Sequence, residues 1–199
     1  FSFGRPVKTS GPYFHIPATR GLEVINSQVK NLTAFLDSYH RLTHLPEPEY
    51  KTVSVPALFT KLERLLQAEP RSERVVYCDG KADKSTGKEL QVYGDANLLT
   101  LALINLIRNA LQAVEGQEDG IVRVDTCAGA TGHLLITITD NGPGIPPERL
   151  SAIFTPFFST KSGGSGIGLP ISQRIMQLHG GQLSVSSIPN VRTEFRMEF

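Results

Sequence analysis

The chain has 199 residues, with 40% hydrophobic and 20% charged side chains and a formal net charge of +1. That length suits one ordinary domain plus a smaller appendage, and the composition excludes a disordered chain. The charge balance offers no electrostatic case for nucleic acid or an anionic membrane, and Cys78 and Cys127 are too few for a disulfide framework or a zinc site.

Residues 1–21 carry scattered glycines and prolines and read as irregular. From Leu22 a helical pattern begins. Leu22, Ile25, Val29, Leu32, Leu36 and Tyr39 fall 3, 4, 3, 4 and 3 apart, which is a heptad seam facing a partner helix or the helix's own domain. Pro46 and Pro48 end it, so residues 22–52 read as a dimerisation-type helix with a linker and 53–199 as the main domain. Val55 to Leu66 reads as a short helix. Val75 to Cys78 and Leu90 to Tyr93 read as strands flanking a charged, mobile hairpin. Asp95 is an N-cap for a long apolar helix to about Val114, closed by Gly116. Strands follow at 121–127 and 134–140. A glycine- and proline-rich stretch leads to a helix from Gly168 to about His179, and strands at 183–187 and 193–199 close the chain. The pattern predicts an α/β fold: a two-layer α/β sandwich with a mixed sheet covered on one face by helices.

Three segments carry polar chemistry in apolar surroundings. Asn105 and Asn109 are four apart and share one face of the apolar helix. Burying an amide without partners costs a few kcal/mol, so each needs the backbone or a ligand. An amide oxygen suits Mg²⁺, a hard ion that keeps waters and phosphate oxygens besides. Asp140 ends a strand in which Ile136 and Ile138 alternate with it onto one face. An ionised carboxylate only accepts hydrogen bonds. The adenine 6-amino group donates one and the guanine 6-oxo group does not, which favours ATP over GTP. Gly142 and Gly144 let backbone approach a flat base; an ordinary turn is the plain alternative. Gly163 to Gly168 opens directly into a helix, whose free amides and partial positive charge suit phosphates; a flexible linker is the plain alternative. It is neither a P-loop nor a dinucleotide fingerprint. Between the glycine clusters, Phe154, Phe157 and Phe158 are candidates to anchor a lid, with Lys161 reaching phosphate.

In this order and at these separations, the segments resemble the N, G1, F and G2 boxes of the sensor histidine kinase catalytic domain, within the superfamily that includes gyrase-type and mismatch-repair ATPases. The likeness covers about residues 53–199. Thr155 to Lys161 and Gly166 to Pro170 are similar to the nitrogen- and dicarboxylate-sensor branch. The resemblance implies that Asn109, with Asn105, holds Mg²⁺. It implies that Asp140 reads adenine in a pocket shaped by Gly142, Gly144 and Ile145. It places Lys161, Gly164, Ser165, Gly166, Ile167, Gly168 and Leu169 on a lid over the phosphates, and Thr193 near the base. It further implies ATP-dependent phosphotransfer to a histidine, a response-regulator receiver domain as partner, and a homodimer through helix 22–39. Asn105 and Lys161 are then the candidate catalytic residues.

The gyrase-type relatives carry a Glu four residues before the metal-binding Asn. Here that position is Asn105, which cannot activate water, so an external nucleophile is expected. Two features depart from the family. No histidine is followed by Glu or Asp on a first helix, so the acceptor is expected upstream or on another chain. Arg192 stands where a Gly usually precedes Thr193. The rival readings are a stand-alone ATPase, a serine kinase of the anti-sigma type, and a pseudokinase scaffold. The chain reads as part of a longer protein working in the cytoplasm, with any membrane contact made through regions outside it.

Overall fold

The computed structural model describes residues 22, 25–29, 33, 36, 39–40, 44–78, 89–128, 133–160 and 164–199. Two units are distinguished, Phe1–Asp37 and Ser38–Phe199. In the first, Leu22, Ile25–Val29, Thr33 and Leu36 are helical. Leu22, Ile25, Val29 and Leu36, the described seam positions of this unit, are each more than half exposed. Leu32 lies outside the described residues.

The second unit is built on a five-stranded mixed sheet. After the linker, β1 (Lys51–Ser54) leads into α1 (Val55–Leu66). Ser54 caps α1 by accepting from the Ala57 amide at 3.2 Å, and Val55, Leu58, Leu62 and Leu66 form its buried stripe. A 3₁₀ turn at Ser72–Arg74 precedes β2 (Val75–Cys78), and β3 (Gln91–Gly94) precedes α2 (Ala96–Ala113). The expected Asp95 cap is present: its carboxylate accepts from the amides of Asn97 at 2.8 Å and Leu98 at 3.0 Å. Gly116, at φ +85°, closes the helix end. Then come β4 (Val122–Ala128), β5 (Leu134–Asp140), a one-turn α3 (Pro147–Leu150), α4 (Gly168–Leu178), β6 (Gln182–Ile188) and β7 (Arg192–Glu198).

The sheet order is β2-β4-β5-β7-β6, with β2 parallel to β4 and the other neighbours antiparallel. Alternate residues Val122, Val124, Ile136, Ile138, Phe195 and Met197 are buried on one face. Leu103, Leu106 and Ile107 of α2 and Ile171, Ile175 and Met176 of α4 belong to the same core. This is the expected two-layer sandwich.

One expectation needs correction, and one strand was missed. The strands at 75–78 and 90–93 do not form a hairpin. β2 pairs with β4, whereas β3 pairs antiparallel with β1, Val92 facing Val53, in a separate two-stranded ribbon. β1 itself escaped the sequence pattern because Val53 is the only apolar residue of Lys51–Ser54, too little for any periodicity. Its strand character comes from pairing with β3. Residues 79–88, expected as a mobile hairpin, lie outside the described residues.

Candidate nucleotide site

Asp140 is the last residue of β5 and is 3% exposed. Its Oδ1 accepts from the Gly142 amide at 3.0 Å, and across the sheet it faces Thr193 of β7, equally buried. The turn after it is clamped from several sides. Asn141 accepts from the Ile121 amide at 2.8 Å and donates to the Asp119 carbonyl at 2.9 Å, tying the turn to the entry of β4. The Asn190 amide donates to the Pro143 carbonyl at 2.8 Å. The Ile145 amide donates to Ser187 Oγ at 2.8 Å, and Ser187 Oγ lies 3.1 Å from Thr193 Oγ1. Ser187 thus couples the glycine turn to the threonine beside Asp140. Nothing in the sequence singled it out, because a serine in a β-strand is unremarkable until its strand partners are known.

Both turn glycines are explained by close approach. A Cβ on Gly142 would lie 3.0 Å from the Ala113 Cβ, at the C-terminal end of α2. Gly144 has φ +74°, and a Cβ there would come within 2.7 Å of the Ile188 carbonyl oxygen.

The other end of the site is built on α2 and α4. Asn105 Nδ2 donates to the Gly168 carbonyl at 3.4 Å, and Ser172 Oγ reaches the same oxygen at 3.0 Å. No side chain caps the start of α4, and with Pro170 in its first turn the backbone donors at this end are those of Gly168 and Leu169. The glycine loop entering α4 is gripped by the phenylalanine segment. The Phe157 amide donates to the Gly166 carbonyl at 2.9 Å, and Gly166 has φ +64°, where a Cβ would come within 2.6 Å of the Phe157 carbonyl carbon and 2.7 Å of the Phe158 carbonyl oxygen.

Between these ends opens a cavity of about 500 Å³. Asn105, Asn109, Asp140, Gly144, Ile145 and Thr193 line it, and so do Gly164, Ser165, Gly166, Gly168 and Leu169. The structure therefore gathers eleven of the fourteen sequence candidates around one space. Gly142 and Ile167 stand behind its wall, with Ile167 buried at 6% exposure in the core. Lys161 lies outside the described residues. Sequence reading missed Arg108, Gln112 and Arg149, which also line the cavity, as does Phe158, one of the three candidate lid anchors. Gln112 had a signal: Asn105, Asn109 and Gln112 lie 4 and 3 apart on one helical face. Arg149, on the one-turn α3, had none.

Among the described residues no cluster of His, Cys, Asp or Glu is arranged to hold a metal. A cation in this cavity would rest on amide oxygens and on the phosphates of its ligand, a donor set that fits Mg²⁺. No described helix is long and apolar enough to cross a membrane.

Residues 94–199 match the family described as histidine kinase-, DNA gyrase B-, and HSP90-like ATPase. The C4-dicarboxylate transport sensor protein DctB of Rhizobium meliloti is 42% identical over 104 residues, 52% of this chain and 17% of that protein. The sensory histidine kinase/phosphatase NtrB of Vibrio alginolyticus is 33% identical over 185 residues, 88% of this chain and 51% of that protein. The chain thus spans about half, or less, of the length of these relatives. The catalytic domain of the histidine kinase ThkA superposes with a TM-score of 0.62 at 27% identity, covering 76% of this chain and 95% of that one.

Proposed function

The chain belongs to the histidine kinase-, DNA gyrase B- and HSP90-like ATPases, and on that premise we propose that it is the ATP-binding catalytic core of a sensor histidine kinase. It transfers the γ-phosphoryl group of Mg-ATP to a histidine upstream or on another chain. The carrying observation is the cavity with a buried carboxylate at one end and a pair of helix-borne amides at the other.

Each residue has a part in this reading. Asp140 accepts from the adenine amino group, which only a base with a donor at that position supplies. Gly142, Gly144 and Ile145 shape the base slot, and Thr193 with Ser187 holds its far wall. The first amides of α4 and the Gly164–Gly168 loop take phosphate oxygens, with Lys161 as a further cation. Asn109 and Asn105 hold Mg²⁺ through their amide oxygens; the ion neutralises phosphate charge when bound. Asn105 cannot take a proton from water, so phosphoryl transfer waits for an imidazole nucleophile rather than proceeding by hydrolysis. A receiver domain accepts the phosphoryl group afterwards, and the 22–39 seam joins two copies.

Calorimetry with ATP, ADP and GTP, with and without Mg²⁺, tests this reading. Adenine preference and Mg²⁺-dependent tightening are expected. Equal affinity for GTP would remove the role given to Asp140.

A further inference from the structure

α2 runs along the cavity like a ruler. Its C-terminal end touches the base slot, where Ala113 meets Gly142. Asn105, about 12 Å away at 1.5 Å per residue, touches the start of α4 through Gly168. Arg108 stands about 4.5 Å along the axis from Asn105, and so belongs to the α4 end. With Asn105, Asn109 and Gln112 it completes an i, i+3, i+4, i+7 face, and all four line the cavity.

The Arg108 guanidinium is held by Glu69, in the turn after α1. Its Nε donates to Glu69 Oε1 at 3.0 Å, and a terminal nitrogen reaches the same oxygen. The Arg108 side chain is still half exposed, and Glu69 does not line the cavity. An ion pair this accessible contributes little to stability. Of the five donors of the guanidinium, three remain beyond those spent on Glu69, in a planar fork that matches phosphate oxygens.

We infer that Arg108 contacts the β- and γ-phosphates at this site and that Glu69 is its competing acceptor. The inference rests on the reading of the cavity as a Mg-ATP site. Before nucleotide binds, the carboxylate keeps the guanidinium at the rim. A polyphosphate offers more charge and more oxygens, and draws the guanidinium inward along the asparagine face. The nucleoside end of the ligand, at the Asp140 end of α2, lies beyond its reach.

Calorimetry on the whole chain with Mg-ATP and with AMP separates this from a structural role. Arg108→Ala should weaken Mg-ATP about tenfold and leave AMP within about twofold, consistent with the loss of one charge-assisted bond. Arg108→Lys should recover part of the loss. Glu69→Gln should tighten Mg-ATP a few-fold and leave AMP unchanged. Equal weakening of both ligands by Arg108→Ala would make the pair a fold clamp and overturn the inference. So would unchanged Mg-ATP affinity, or weaker Mg-ATP binding on Glu69→Gln. Failure of Asp140→Asn to weaken AMP would instead strike the nucleotide reading itself.

Discussion

At the residue scale, the chemistry of the site is a matter of who accepts and who donates. Asp140 is buried to 3% exposure, with one oxygen taking the Gly142 amide. Asp140→Asn keeps the shape but turns part of the acceptor into a donor. It should weaken ATP by about tenfold or more, the range of a lost charged hydrogen bond, while Asn109→Ala should remove chiefly the Mg²⁺-dependent part. Titrations with and without the ion check both. Asp95 shows the same logic applied to stability. Burial alone would raise its carboxyl, but the amides of Glu49, Leu98 and Asn97 donate to it and His179 lies near, and together they hold it below the ordinary 3.8. A lowered carboxylate pKa stabilises the fold above the unfolded value, and that gain is lost as pH falls through the folded value. Asp95→Ala should therefore cost about 0.5–2 kcal/mol near neutral pH. The gap in melting temperature between variant and parent should narrow only below about 3.8. A gap of constant size down to strong acid would contradict the assignment.

Among the elements, the three long helices of the second unit bury their apolar faces in its core. α1, α2 and α4 each place a stripe in the common core. In the first unit the described helical residues Leu22, Ile25, Val29 and Leu36 are more than half exposed at heptad spacing. A short isolated helix is marginal in water, so the proposed dimer would stabilise this one by burying its apolar positions. Replacing Val29 and Leu36 with Glu should give monomers by light scattering, and the parent is expected to run as a dimer. Identical masses for the two would leave the seam without a second copy to face.

For the molecule as a whole, the linker is tied into the second unit at the far end of α4. The Tyr50 hydroxyl donates to the Leu178 carbonyl at 2.6 Å, and its ring stacks on Tyr93 and meets His179 edge-on. The Glu49 amide donates to Asp95 at 2.8 Å. His179 accepts from the Asp95 amide at 2.9 Å through Nε2, and its Nδ1 faces the Ile175 carbonyl at 2.7 Å. Both ring nitrogens are engaged, so this histidine has no lone pair to offer a phosphoryl group. His15, His40, His44 and His133 are followed by Ile16, Arg41, Leu45 and Leu134, never by an acid. The chain alone should bind ATP, hydrolyse it slowly and form little acid-labile phosphohistidine. Supplying an upstream helix that bears His-Glu or His-Asp should restore labelling from γ-labelled ATP. Strong acid-labile, base-stable label on the chain alone, lost on changing His15 or His40, would identify an internal acceptor instead.

Much of this molecule is written in local pattern. The α1 stripe, the Asp95 cap, the alternation of β5 and the glycine spacing all depend on neighbours a few residues away, so sequence determines them. Asn105, Asn109 and Asp140 were legible because a polar group in an apolar stretch needs a partner. Tertiary structure alone decided the rest. That β3 takes β1 rather than β2 was not legible, because the pairing joins segments about forty residues apart, a distance that carries no periodic signal. Ser187 and Arg108 become meaningful only when β6 comes against the Asp140 turn and α1 brings Glu69 to α2. Their roles come from contacts 42 and 39 residues away along the chain, and no local pattern encodes such contacts.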